Sequence, residues 1–256
     1  MSIGSHAQRL EELVALCHEL GREDRHMAVL GEGNVSTRAG GAGAFLIKAS
    51  GRRLSTLARA DVVLCRGGGI LELLERDERN DAAVESALMA SRVDPAAPKP
   101  SVEAIFHAYL LGLDGVEWVG HTHPVAVNAL MCSPRAEEFA ARRLFPDEVV
   151  CCGEESAYVP YADPGRGLAR AIRQETESFV RRRGRPPRVT LLGNHGVITI
   201  GRTASAVLGA MLMVKKAAET WLGAAALGGP RFLDEAEVRR IAGREDEHHR
   251  QRALGL

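Results

Sequence analysis

The segment Glu117-Trp118-Val119-Gly120-His121-Thr122-His123-Pro124 carries two imidazoles, two residues apart, at the end of an apolar, strand-like run. Side chains alternate across a β-strand, so this spacing predicts both rings on one face. Two neutral imidazoles on a rigid, half-buried strand can meet one first-row metal ion such as zinc with little rearrangement. The competing reading makes one of them a hydrogen-bonded core residue facing a groove. Residues elsewhere in the chain have to decide between the two.

Working outward, Leu10, Leu13, Val14, Cys17 and Leu20 recur at helical spacing before Gly21, which predicts an opening amphipathic helix. Short strands are expected at 35–38 and 44–48, separated by a glycine-rich turn. Residues 61–65 and 70–74 flank Gly67-Gly68-Gly69 and read as a further hairpin. A helix over 81–92 leads through a proline-rich stretch to a second helix starting near Ser101, a plausible N-cap. After the histidine strand, 125–131 reads as helix, 148–152 as strand and 165–183 as a helix ending in positive charge. Strands at 189–192 and 197–200 enclose Gly193-Asn194-His195-Gly196, and helices are expected over 204–222 and 234–252. No internal repeat or dividing linker is visible. The expectation is one α/β domain over residues 1–256, a mainly antiparallel sheet flanked by helices.

Composition narrows the function classes. With 256 residues, 45% of them hydrophobic, the chain can bury a sizeable core. Lysine plus arginine and aspartate plus glutamate number 33 each, leaving no global field for nucleic acid or an anionic membrane. Arg181, Arg182, Arg183, Arg185 and Arg188 are read as helix-end and loop charges. No apolar run reaches the roughly 20 residues of a membrane span, and the N-terminus lacks signal-peptide order. Five cysteines without a C-x-x-C pair fit a reduced, cytoplasmic setting, and Cys151-Cys152 is read as structural, on opposite faces of a strand.

Among nine histidines, His6, His248 and His249 lie near the ends, and His18 and His26 lack an apolar context. His195 differs: it occupies a tight connection between two apolar strands, with glycines on either side that let the backbone approach closely. Three imidazoles would make an open site with room for substrate oxygens. Glu103, in the first turn of the expected helix, is the best carboxylate for proton transfer, and His107, one turn on, either buttresses it or packs. The Gly31-Glu32-Gly33-Asn34 and Ser50-Gly51 loops have an amide-exposing character suited to anions. Neither is a P-loop or a dinucleotide fingerprint.

Taken in order, Gly33-Asn34-Val35-Ser36, Lys48-Ala49-Ser50-Gly51, Pro100-Ser101-Val102-Glu103, His121-Thr122-His123-Pro124 and Asn194-His195-Gly196 resemble the class II aldolase/adducin family, fuculose-phosphate aldolase-like members in particular, over about residues 8–223. The resemblance implies a three-layer α/β/α sandwich and a homotetramer with sites between subunits. It implies zinc, or else manganese or cobalt, on His121, His123 and His195, with Glu103 as the catalytic carboxylate. Gly33, Asn34, Ser50, Gly51 and Ser101 would hold the substrate end. The implied activity is retro-aldol cleavage of a sugar-derived hydroxy-carbonyl compound through a metal-stabilised enediolate. Decarboxylation of a hydroxy or oxo acid at the same site, or a non-catalytic adducin-like interaction module, are the alternatives. Two departures stand out. Val102 replaces a serine common in sugar-phosphate members, which puts a phosphorylated substrate in doubt. Aldolase and epimerase members commonly use a tyrosine from the C-terminal region, whereas the tyrosines here are Tyr109, Tyr158 and Tyr161. Lys48 is read either as a point charge for an anion or as solvent-facing.

Overall fold

A computed structural model describes residues 3–41, 43–75 and 81–245; His248, His249 and the end of the last expected helix fall outside them. Seven strands form one sheet in the order β3-β2-β1-β4-β7-β6-β5: β1 (Asn34–Arg38), β2 (Ala44–Lys48), β3 (Val62–Arg66), β4 (Trp118–Thr122), β5 (Ala157–Val159), β6 (Val189–Leu192) and β7 (Gly196–Gly201). Neighbours are antiparallel except for the parallel pair β5 and β6. The mainly antiparallel sheet expected from the sequence is therefore present.

Helices cover both faces because the strands are apolar on both. In β2, Leu46 packs into one core cluster while Phe45 and Ile47 pack into the other, the period of two that a sheet imposes. Trp118 and Val119 of β4 divide in the same way. One outer layer holds α1 (Ile3–Leu20), α5 (Val125–Met131), α6 (Ala136–Ala141), α7 (Pro146–Cys152) and α9 (Ala204–Ala226), with α10 (Glu235–Ala242) packed on α7. The other holds α2 (Gly67–Glu75), α3 (Asp81–Ser91), α4 (Ala104–Leu111) and α8 (Arg166–Arg183). No helix of the described residues is long and apolar enough to cross a membrane.

Three local expectations are corrected. Residues 70–74 are not a strand but part of α2: Ile70, Leu73 and Leu74 are buried while Glu72 is exposed, the one-face pattern of a helix packed on α4. Residues 148–152 are likewise helical, in α7. Pro146 opens that helix and Asp147 and Glu148 occupy its first turn, a favourable start that an unbroken apolar run conceals. Cys151 and Cys152 are thus consecutive helical residues, both buried, and not on opposite faces of a strand. Finally, α4 begins at Ala104, so Glu103 precedes it. Ser101 closes the turn before the helix, its Oγ accepting the Glu103 N–H at 3.3 Å.

Candidate metal centre

Three central strands bring the site together. β4 pairs with β1 and β7, so that Asn34 lies opposite His121 on one side and Ile198 on the other. On β4, Gly120 and Thr122 face α9: Thr122 Oγ donates to Met211 Sδ at 3.1 Å. His121 therefore shares the opposite face with Val119, and the edge of Phe106 packs against its ring, centroid to centroid 5.7 Å. His195 arrives from the turn between β6 and β7, where its N–H donates to Leu192 O at 3.1 Å and Asn194 adopts a left-handed φ of 54°. Asparagine tolerates that conformation better than most residues. Gly196 then passes so close that a Cβ would lie 2.7 Å from His123 Cδ2 and 2.6 Å from Thr122 O. Any side chain at 196 would displace the imidazoles.

His121, His123 and His195 present ring nitrogens that all lie within 4.8 Å of one another. The Nε2 atoms of His121 and His123 are 3.0 Å apart. Nitrogens bound to one ion at about 2.1 Å lie about 3.0–3.4 Å from each other, so this pair stands at the separation that one divalent cation imposes, and with His195 the three could hold one. Behind the site, His121 Nδ1–H donates to Val197 O at 3.0 Å, which leaves its Nε2 lone pair directed into the cluster. His123 Nδ1 faces Glu32 Oε2 at 3.7 Å.

Glu103 is buried beside the imidazoles. Its Oε1 is 3.4 Å from His121 Nε2 and 3.5 Å from His195 Nε2. Its Oε2 accepts a hydrogen bond from Asn34 Nδ2, which also donates to Ser101 Oγ at 3.2 Å. Asn34 Oδ1 has no protein partner. Burial pushes the Glu103 carboxyl up, but His121 and His195 outweigh it and hold the group well below the usual carboxylate range. For His121 burial opposes the charged ring, and the Glu103 carboxylate overrides it and raises the pKa. His123 is pushed down to about 3 by burial and by the two neighbouring imidazoles.

The loops meet the site unequally. Gly33 adopts a φ of 76°, and a Cβ there would lie 2.8 Å from His121 O, so the residue must be glycine for the backbone to pass. Asn34 and Ser101 touch Glu103 directly. Ser50 and Gly51 are exposed beside Gly31, and the Ser50 amide is already donated to Lys99 O at 2.9 Å. Lys48 is neither solvent-facing nor available to an anion: it is 1% exposed, and its Nζ donates to Gly31 O (3.1 Å) and Arg52 O (2.7 Å). It clamps the two glycine loops together, and burial pulls its pKa below the usual value. His107 is fully buried, bonded through Nδ1 to Ser36 Oγ at 2.7 Å. In the sequence Glu32 stands only as part of an amide-exposing loop. An acid between two glycines is an odd element for an anion loop, and that oddity was the available signal. Of the tyrosines, Tyr158 places its hydroxyl against Gly193, where a Cβ would lie 2.9 Å from it, while Tyr161 is exposed and bonded to Asp163.

Known proteins share this architecture. A putative aldolase/epimerase/decarboxylase, YgbL from Klebsiella pneumoniae, superposes with a TM-score of 0.70 at 21% identity, covering 93% of this chain and 99% of that one. The N-terminal class II aldolase domain of a conserved Thermoplasma acidophilum protein gives 0.66 at 23%, over 83% and 93%. An L-fuculose 1-phosphate aldolase gives 0.68 at 17%, over 94% and 96%. In sequence, the uncharacterized oxidoreductase YuxG of Bacillus subtilis is 25% identical over 220 residues, which is 83% of this chain but 29% of YuxG. This chain thus spans less than a third of that relative's length. Residues 11–222 match the Class II Aldolase and Adducin N-terminal domain, and the chain belongs to that family.

Proposed function

We propose that this protein is a metal-dependent carbon–carbon lyase that cleaves a sugar-derived hydroxy-carbonyl substrate by a retro-aldol reaction. The observation that carries the reading is the convergence of three imidazoles with a buried carboxylate, Glu103 Oε1 lying 3.4 and 3.5 Å from two of them. Class II aldolases depend on divalent metal. His121, His123 and His195 would hold the ion, zinc in first place and manganese or cobalt otherwise. When bound, such an ion would supply positive charge that stabilises the enediolate left when the carbon–carbon bond breaks.

The chain's own residues do the rest. Glu103 would take the proton of the hydroxyl that becomes the aldehyde carbonyl and return it to the enediolate carbon, so that protons balance, and the Asn34 amide, bonded to Oε2, leaves Oε1 facing the imidazoles. Asn34 Oδ1 is buried without a protein partner, and in this reading a substrate hydroxyl would supply one. In this reading Gly33, Ser50, Gly51 and Ser101 would hold the substrate end. Val102, 38% exposed, presents methyl groups beside Ser101, and the buried charge of Lys48 is committed to backbone carbonyls. Both favour a small, unphosphorylated substrate over a sugar phosphate. The same features support the second reading, decarboxylation of a hydroxy or oxo acid, in which carbon dioxide leaves in place of an aldehyde.

The proposal includes one domain working as a cytoplasmic homotetramer with sites between subunits and a small-molecule substrate, without nucleic acid or membrane. Five free cysteines, four of them buried, support a reducing compartment. Val29, Leu30 and Val125, 57%, 69% and 62% exposed, share a cleft with His26 next to the His123 loop, where a neighbouring subunit would cover them. The test is Glu103→Gln. We expect it to keep its metal and to lose turnover by about 10²–10⁴-fold on a panel of aldol adducts and keto acids. Normal cleavage by the variant would sink the assignment, and carbon dioxide without aldehyde would select the second reading.

A further inference from the structure

The two strand histidines differ in what stands behind them. His121 Nδ1 is anchored on a backbone carbonyl, that of Val197. Across from His123 Nδ1 stands Glu32, whose Oε2 is 3.7 Å away. Neutral imidazole carries its proton on one nitrogen only, and whichever group faces the rear nitrogen decides which lone pair points forward.

The segment that presents Glu32 is built to hold it there. Glu32 N–H donates to Val29 O at 3.1 Å, and Glu32 Oε2 accepts the Val29 N–H at 2.8 Å, so main chain and side chain close the same turn. Inside the turn Leu30 adopts a φ of 53°. That left-handed conformation is costly for a residue with a branched side chain. The cost is sustained by Lys48, which grips Gly31 O from within the core. A strained turn, clamped from beneath by a buried lysine, aims one carboxylate at the back of one histidine.

Resting on the reading of this cluster as a metal centre, we propose that Glu32 is a positioning residue for it. Its carboxylate keeps the proton of His123 on Nδ1, directs the Nε2 lone pair into the cluster and strengthens that nitrogen as a donor to a divalent cation. Carboxylates behind metal-binding imidazoles act in this way, and removing them typically weakens binding about 10–100-fold.

Glu32→Gln separates this role from a merely structural one. The glutamine amide oxygen can still accept the Val29 N–H, so the turn survives while the charge is lost. Dissociation constants for Zn²⁺ and Co²⁺, measured by chelator competition on the purified full chain, are expected to rise about 10–100-fold in the variant. The visible spectrum of the cobalt form should shift, and the Tm of the metal-free variant should equal that of the wild type. Binding by Glu32→Gln within about twofold of wild type overturns the role of Glu32 while leaving the metal centre standing. A wild type that binds neither ion overturns the metal centre and the role together.

Discussion

His107 shows how the polar groups behind the site are paid for. Its ring is fully buried, stacked on Phe106 at 4.6 Å, with Nδ1 on Ser36 Oγ and Nε2 without a partner. A bare lone pair is cheaper to bury than an orphaned N–H, so Nδ1–H donates to the serine and Nε2 is unprotonated. Burial pushes the pKa down to about 3. The sign follows from proton counts. Below about pH 6.5 the unfolded chain protonates this histidine and the folded chain does not, so stability is lost as pH falls from there toward 3. The slope from one such group is at most about 1.4 kcal/mol per pH unit. In urea titrations of metal-free protein, His107→Gln should therefore show a shallower loss of stability between pH 6 and 4 than wild type. Parallel curves would mean that His107 is not held neutral.

At the scale of elements, β4 is the element on which the architecture turns: one face carries His121 toward α4, and the other lets α9 settle directly on the backbone. A Cβ at Gly120 would lie 2.6 Å from Val207 Cγ1, and one at Gly201 2.7 Å from the Ala206 Cβ. Gly120→Ala should cost about 1–3 kcal/mol by overpacking, measured by chemical denaturation; no change would mean that α9 yields freely. The histidine strand was legible because period-two patterning, glycine and paired histidines agree with one another. His195 was legible because two apolar strands hold it at the end of a sheet. The segments 70–74 and 148–152 were not, because a short apolar run has the same composition in either conformation, and packing on α4 or α9 and α10 makes the choice. Lys48 was illegible for another reason. Its partners are backbone carbonyls of two loops, which leave no trace in side-chain pattern.

For the whole molecule, the site is the place where separate stretches of chain converge on the middle of one sheet. Asn34 meets Glu103 across 69 positions of sequence, and His121 meets Val197 across 76. Spacing could nominate each histidine and Glu103 singly; only family resemblance joined them into a set, since no local rule brings distant loops together. If that set binds a cation in the folded state alone, removing the cation must destabilise the fold. Stripping it with a chelator should lower the Tm, with a loss of about 4 kcal/mol when the free ion had been a thousandfold above its Kd. The most direct test is the metal content per chain, by mass spectrometry on purified, untagged protein, wild type beside His123→Ala. The expected result is about one tightly held divalent ion per wild-type chain, lost in the variant. A wild type that stays metal-free even after reconstitution with zinc, manganese or cobalt, or a variant that keeps its ion, would contradict the assignment of His121, His123 and His195 as one metal centre.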